Sequence, residues 1–368
     1  MIQVMEITHY NESHFDRLIE FLRVNWAENH SVYERALFDW QYKGSSQESV
    51  YGLMLVDGTN IKGFLGGVPY NFYLDGNIIS GGGGAIWVVE TSIKNTGVGL
   101  LMRKHMEEQF DLIYTMGLNL KTVSMYTKMR YNYSDGLNRY VVPLNAINYK
   151  KLSLLDIEQE KIEKWIDRIP FLSSAKAMES VDVNKLATLY NDSIKPHFRL
   201  LPLKDADFWQ WRYIQSKGFR YLFFEDTGGI IIARVESVYA PGDDRHNLKC
   251  MRIIEMVPSY GDVWIGKSDE HLRALLSSVF MWARENNCNL ADFQISNNKL
   301  DYFLKKVGFR KQGEREEADI VRLFSPLRLD ANALNFAYRI KDGDEKVDIE
   351  DTYFVKSDCD MDRPNYLK

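Results

Sequence analysis

The chain has 368 residues, a net charge of −5 and 45% hydrophobic residues. That length suggests two domains, and that composition belongs to packed globular proteins and excludes the disordered class. The basic residues are scattered, so no stripe offers a sequence-independent grip on nucleic acid. The cysteines, Cys250, Cys288 and Cys359, fit neither a disulfide framework nor a CxxC metal site and suggest a reducing compartment. The N-terminus "MIQVMEITHYNESHF" has no apolar core of signal-peptide length, and no window approaches the roughly 20 apolar residues that span a bilayer. The expectation is a soluble cytoplasmic protein without a membrane or nucleic-acid partner.

In chain order, "VMEITHY" (4–10) predicts a strand, followed by helices at "ESHFDRLIEFLRV" (12–24) and "VYERALFDWQY" (32–42). Strands follow at "YGLMLV" (51–56), "IKGFLGGVPYNFYL" (61–74) and "AIWVVE" (85–90), the first two joined by the turn "DGTN". A Gly-containing loop then opens the helix "GLLMRKHMEEQF" (99–110). The strand "LIYTMGL" (112–118), the short helix "LKTVSMYTKM" (120–129) and the strand "NRYVVPL" (138–144) complete the first half by about residue 149.

The second half repeats this order. It reads strand 175–181, helices 183–191 and 204–214, strands 220–226, 229–239 and 249–257, helix 269–287, strand 290–296, helix 298–307 and strand 318–324. "LFDWQYKGS" (37–45) also echoes "FWQWRYIQS" (208–216). The matched order predicts a tandem duplication of mixed α/β units: 1–150, a helical linker 151–174, 175–327, and a tail 328–368 outside both copies.

The loop at 88–99, "VVETSIKNTGVG", joins a strand to a helix. Such a turn lines up backbone N–H groups with the positive end of a helix dipole, and glycines let an anion approach closely. Lys94, Arg103 and Lys104 add local positive charge. The loop lacks the Lys-Ser/Thr ending of a P-loop and the third glycine of a dinucleotide fold. By spacing alone it is either a phosphate cradle or a structural turn. "GGGG" (81–84) precedes a strand, so no dipole is aimed at it, and it reads as a flexible or closely packed backbone segment.

Together with "GLNLKTVSMYTKMRY" (117–131), the loop resembles GNAT-superfamily N-acyltransferases. The acetyl-CoA loop of that family follows V-x-P-x-x-[RQ]-x-x-G-x-[GA], matched by Val89, Gly97 and Gly99, with Thr91 in place of the proline and Lys94 in place of Arg or Gln. The later family pattern, N-x-x-[SA]-x-x-x-Y-x-K-x-G-F, is met by Asn119, Thr122, Tyr126, Lys128 and Tyr131, with Arg130 in place of the glycine. The resemblance implies tandem GNAT-like domains, each with a mixed, mostly antiparallel sheet flanked by helices.

It further implies acetyl-CoA as acyl donor, its pyrophosphate held by Lys94 and the amides of Asn95, Thr96, Gly97, Val98 and Gly99. Val88 and Val89 would pair with the pantetheine, and Asn119 would lie at the same cofactor site. Tyr126 would protonate the departing thiolate, Glu90 is the candidate base, and Trp26 and His30 would shape the pocket of a small-molecule amine acceptor.

In the second half the corresponding loop, "PSYGDVWIGKSDEHLRALL", has no GxG, and Leu304 stands where the first half has Tyr126. This copy is expected to be chemically silent. The tail places Asp358, Asp360 and Asp362 before Arg363-Pro364. Alternate acids suggest a calcium loop, but its glycine and distal glutamate are absent. The ending also resembles the D-x-D-x-D-R-P-N close of tandem-GNAT proteins of bacterial surface-polysaccharide synthesis. The expected activity is therefore acetyl transfer to an amino sugar or a nucleotide-linked amino sugar. The alternatives are a non-catalytic CoA-binding module and an aminoacyl-tRNA-dependent transferase of the peptidoglycan type; the latter would need a basic tRNA surface that this acidic chain lacks.

Overall fold

A computed structural model describes residues 5–45, 49–341 and 346–365. The first half runs β1 (Glu6–His9), α1 (Phe15–Asn25), α2 (Arg35–Lys43), β2 (Gly52–Asp57), β3 (Asn60–Leu74), β4 (Asn77–Val89), α3 (Val98–Gln109), β5 (Leu112–Met116), α4 (Val123–Lys128), β6 (Asn132–Ser134) and β7 (Asn138–Pro143). There follow α5 (Ala146–Leu152), α6 (Gln159–Ile166), α7 (Val183–Ser193), β8 (Leu200–Pro202), α8 (Ala206–Trp209), β9 (Leu222–Asp226), β10 (Gly229–Ser237), β11 (Lys249–Pro258), α9 (Glu270–Glu285), β12 (Cys288–Ile295), α10 (Asp301–Val307), β13 (Arg310–Lys311), β14 (Leu323–Phe324), β15 (Leu327–Arg328) and β16 (Phe336–Ile340). The predicted start of the first strand at Val4 lies outside the described residues. No helix among the described residues is long and apolar enough to cross a membrane.

The strands form two similar mixed sheets, ordered β1-β2-β3-β4-β5-β16-β6 and β9-β10-β11-β12-β7-β13, with β8 added to β3. In each sheet one parallel pair, β4 with β5 and β11 with β12, sits among antiparallel neighbours. The layered mixed α/β architecture matches the expectation of tandem units.

The strand partners do not respect the expected divisions at 150 and 328. β7 leaves the first half and pairs with β12 (Pro143 opposite Leu290) and with β13. In return β16, from the tail, enters the first sheet between β5 (Phe336 opposite Met116) and β6. Both exchanged strands are almost wholly buried, the state of interior strands with a neighbour on each side. The predicted strand at 318–324 is instead a short 3-10 turn, a single bridge from Ile320 to Ser153, and the small β14–β15 hairpin, because β7 occupies the place it would fill. The segment 175–181 likewise contributes one bridge, Met178 to Phe223.

The sequence echo marks the contact between the halves. Trp40 Nε1 donates to the Trp211 carbonyl at 2.9 Å and Trp211 Nε1 donates to the Trp40 carbonyl at 2.8 Å, with the ring centroids 5.5 Å apart. The three tail aspartates each meet a base. Asp358 lies 2.8 Å from Lys204, Asp360 is 2.9 Å from Arg363, and Asp362 binds Arg234 at 2.8 Å. Arg363 in turn reaches His30 of the first half at 2.7 Å, so the tail ties the halves together.

Candidate active site

The β4–β5 pair is joined only from Gly81–Gly83 to Leu112–Tyr114. Beyond it the Thr115 hydroxyl donates to the Gly84 carbonyl at 2.9 Å, and β5 continues against β16 while β4 continues against β3. The two parallel strands therefore part. The edge of β4 carrying Val88 and Val89 faces this split, with only its β3 side laddered, to Phe64 and Gly63. An extended amide chain such as pantetheine could pair with that edge as an added strand does.

The loop leads from the split to α3. Asn95 and Gly97 both adopt left-handed φ, 69° and 91°. Gly97 caps α3 without a side chain, and a Cβ there would meet nothing within 4 Å, so glycine serves the conformation and leaves the space open. Among the described residues, no turn or helix bond engages the amides of Asn95, Gly97, Val98 and Gly99, whereas Thr96 N–H donates to Ile93 at 3.4 Å. Lys94, Asn95, Thr96 and Gly97 are exposed, and Val98 and Gly99 half-buried. Free N–H groups at the start of a 12-residue helix form an anion site.

Arg103 departs from the expectation. It is buried, 1% exposed, and points inward, away from the loop. Its guanidinium lies over the rings of Tyr126 (5.5 Å) and Tyr131 (5.3 Å), Nε donates to Tyr131 at 3.0 Å, and Nη2 has no hydrogen-bond partner among the described residues. Gly84 makes this possible, because a Cβ there would fall 2.2 Å from Arg103 Nη1. The other glycines of the run meet Phe72, Phe110 and Tyr114 as closely, so "GGGG" is a close-packed strand interior.

Tyr126 sits on α4 at the floor of the split, 4% exposed, edge-on to Trp87 (6.1 Å) and Tyr131 (5.0 Å). Burial raises its pKa, an effect that Arg103 and a hydrogen bond with Thr115 partly oppose, so the phenol holds its proton at neutral pH. α4 ends with Arg130 at φ 62°, and Tyr131 N–H returns to the Tyr126 carbonyl at 3.0 Å. This is the left-handed position at which the family pattern has glycine.

Glu90 lies at the end of β4, 2.6 Å from Lys62 and accepting from the Ser92 hydroxyl, and these two contacts lower its pKa. Both carboxylate oxygens are engaged, which suits it to shaping the loop better than to removing a proton. His30 is buried, and burial together with Arg363 depresses its pKa to about 3. The Trp26 ring lies 4.6 Å from it. Asn119 caps the turn before α4 by accepting from Lys121 N–H at 3.0 Å.

Trp26 and Asn119 meet at a cavity of about 780 Å³ between the halves, walled also by Arg139, Arg234, Glu236, Arg322, Lys356 and Arg363. The structure thus brings the loop, Val88, Val89 and Tyr126 to one split, and Trp26 and Asn119 to the cavity beside it. His30 stands behind Trp26 and Arg363. The cavity's basic wall was not anticipated. Its signal was charge inside apolar strands, Arg139 in β7, Arg234 and Glu236 in β10, Arg252 in β11 and Asp292 in β12, where burial demands partners.

In the second half, Asp269 caps α9 by accepting from Leu272 N–H at 3.0 Å, so a carboxylate already occupies the position an anion would take. The β11–β12 split is filled by the tail: Ile295 bridges Val355, and Ser296 N–H donates to the Phe354 carbonyl at 2.9 Å. Leu304 is fully buried.

Sequence comparison finds no matching family model and no matching curated protein. Solved structures match the fold over nearly the whole chain. Saccharomyces cerevisiae N-myristoyltransferase with bound myristoyl-CoA aligns with a TM-score of 0.56 at 12% identity, covering 96% of this chain and 84% of that one. A conserved Enterococcus faecalis V583 protein of unknown function, described as a probable N-acyltransferase, gives 0.56 at 9% identity, covering 92% and 72%. At such identities the likeness is one of fold: the chain shares with these two structures a tandem, GNAT-like mixed α/β architecture.

Proposed function

We propose that this chain is an acyl-CoA-dependent N-acyltransferase that moves an acetyl group from acetyl-CoA to the primary amine of a small molecule, an amino sugar or nucleotide-linked amino sugar. The observation carrying this reading is the set of unengaged amides at Asn95, Gly97, Val98 and Gly99, at the start of α3 and beside the open edge of β4. The GNAT-like fold, and the myristoyl-CoA bound to a neighbour that shares it, support the same donor class.

In this reading the pyrophosphate lies on the loop amides and Lys94, and the pantetheine pairs along Val88 and Val89. The amine attacks the thioester carbonyl, the C–N bond forms, and the C–S bond breaks as the Tyr126 O–H gives its proton to the leaving sulfur. The amine's surplus proton leaves to water, since Glu90 is held by Lys62. The second half, with its split filled and its helix capped, walls the acceptor cavity. The ending Asp358 to Asn365, similar to that of polysaccharide-synthesis proteins, favours a sugar acceptor.

The test is thiol release from acetyl-CoA against amino sugars, nucleotide amino sugars, polyamines and amino acids. Acceptor-dependent release with a sugar amine is expected. Release with none of them, by a protein that binds acetyl-CoA, would leave a CoA-binding module instead.

A further inference from the structure

The basic wall of the cavity is the free end of a buried chain of charges. Arg139 pairs with Asp292 at 2.7 Å, and Asp292 also pairs with Arg252. Arg252 reaches Glu236 at 3.0 Å, Glu236 is 3.1 Å from Arg234, and Arg234 is 2.8 Å from Asp362. Lys356 closes the chain, only 3.9 Å from Asp362. The sequence of signs is plus, minus, plus, minus, plus, minus, plus. Arg139, Arg252, Arg234 and Lys356 thus face Asp292, Glu236 and Asp362, leaving one positive charge in excess.

Both ends of this chain line the cavity, and both are unsatisfied. Arg139 is 3% exposed, yet its Nη2 has no hydrogen-bond partner among the described residues. Lys356, with a side chain 15% exposed, has no acid to itself. Arg322 adds a half-buried guanidinium on the same wall, with no ion-pair partner among the described residues, and Arg328 stands at the rim in an exposed pair with Asp330 at 3.4 Å. Uncompensated charge is costly to bury, and a site that keeps one is arranged for a counter-ion. Guanidinium forks beside an ammonium match an oxyanion.

We propose that this cavity binds the acceptor through an oxyanion group, which Lys356 and Arg322 neutralise, with the buried Arg139 guanidinium behind them. The acceptor is accordingly an anionic amine, and its charged group anchors it in the cavity while the amine reaches toward the split. This inference rests on the proposed acyl transfer for its role, but the anion site itself stands on the charge chain alone. Its source is a phosphoryl group, as in a nucleotide-linked or phosphorylated sugar, or a carboxylate.

The test uses the full chain saturated with CoA, so that the donor's own phosphates are already placed. Pyrophosphate, uridine diphosphate and glutamate are titrated by calorimetry into the wild type, Arg322→Gln and Lys356→Met. At least one of these anions should bind one to one, and each substitution should weaken it tenfold or more without changing CoA affinity. Binding by pyrophosphate or uridine diphosphate assigns a phosphoryl group; binding by glutamate alone assigns a carboxylate. No binding by any anion, wild-type affinity retained in both variants, or a loss that falls on CoA would overturn the proposal. If the wild type binds no CoA, the donor reading fails on its own, and the same titrations on the free protein still decide the anion site.

Discussion

Tyr126 is held between Trp87, Tyr131 and the Arg103 guanidinium, so removing its hydroxyl leaves the ring packed. Tyr126→Phe should keep acetyl-CoA affinity, measured by calorimetry, and lower kcat by about 10²–10⁴-fold or somewhat less, since general acid assistance is typically worth that much and water can partly substitute. Weak binding with normal turnover at saturation would make Tyr126 a packing residue. At Lys356 the consequence concerns stability. Burial and the facing Arg252 and Arg234 lower its pKa to about 7, against the pull of Asp362 and Glu236. The unfolded chain then binds more protons than the folded one between about pH 7 and the ordinary lysine value near 10.4. The penalty is complete below pH 7 and fades as pH rises through that window. Lys356→Met should therefore raise the Tm of the ligand-free protein more at pH 6 than at pH 10, and an equal gain at both would contradict the charge assignment. The place of Tyr126 on a short helix after β5 was legible because a motif fixes its register. The inward turn of Arg103 was not, since it depends on the space Gly84 leaves one strand away.

At the scale of elements, the ends of the helices separate the two halves. α3 begins with left-handed Gly97 and open amides, whereas α9 begins with Asp269 folded onto its own first turn. Asp269→Ala should cost about 1 kcal/mol of stability, the usual value of an N-cap, and leave CoA binding unchanged. α4 offers a second test. Arg130→Gly removes the left-handed strain of a non-glycine residue, worth about 1–2 kcal/mol before the extra freedom of the unfolded glycine is subtracted. A higher Tm is expected, and a lower one would mean that the arginine's own contacts outweigh the strain. The loop and these helices were readable because glycine positions and apolar periodicity are local. The expected strand at 318–324 failed for a non-local reason: its place in the second sheet is taken by β7.

At the scale of the whole molecule, the exchange of β7 and β16 makes each sheet depend on the other half of the chain. Residues 1–150 and 151–368 expressed separately should each lose an interior strand and fail to give cooperative thermal unfolding; two independently folded pieces would contradict the exchange. The duplication itself was visible in the sequence, and Trp40 and Trp211 now mark its axis through their reciprocal bonds. The exchange was not visible, because "RYVVP" reads as a buried strand whichever sheet receives it. The cavity was hidden for a related reason, as Arg139, Arg234, Arg322 and Lys356 come from four distant segments and meet only after both sheets are complete.

Whether the loop before α3 holds the donor's pyrophosphate is decided by titrating acetyl-CoA into the wild type and Gly97→Glu by calorimetry. Glutamate there adds a negative charge where the pyrophosphate would lie, at an exposed position with nothing within 4 Å of the new Cβ. Circular dichroism and thermal melting would confirm that the variant remains folded. One-to-one binding by the wild type and none by the variant are expected. Undiminished affinity in a folded Gly97→Glu protein, or a wild type that does not bind acetyl-CoA, would contradict pyrophosphate binding at the loop.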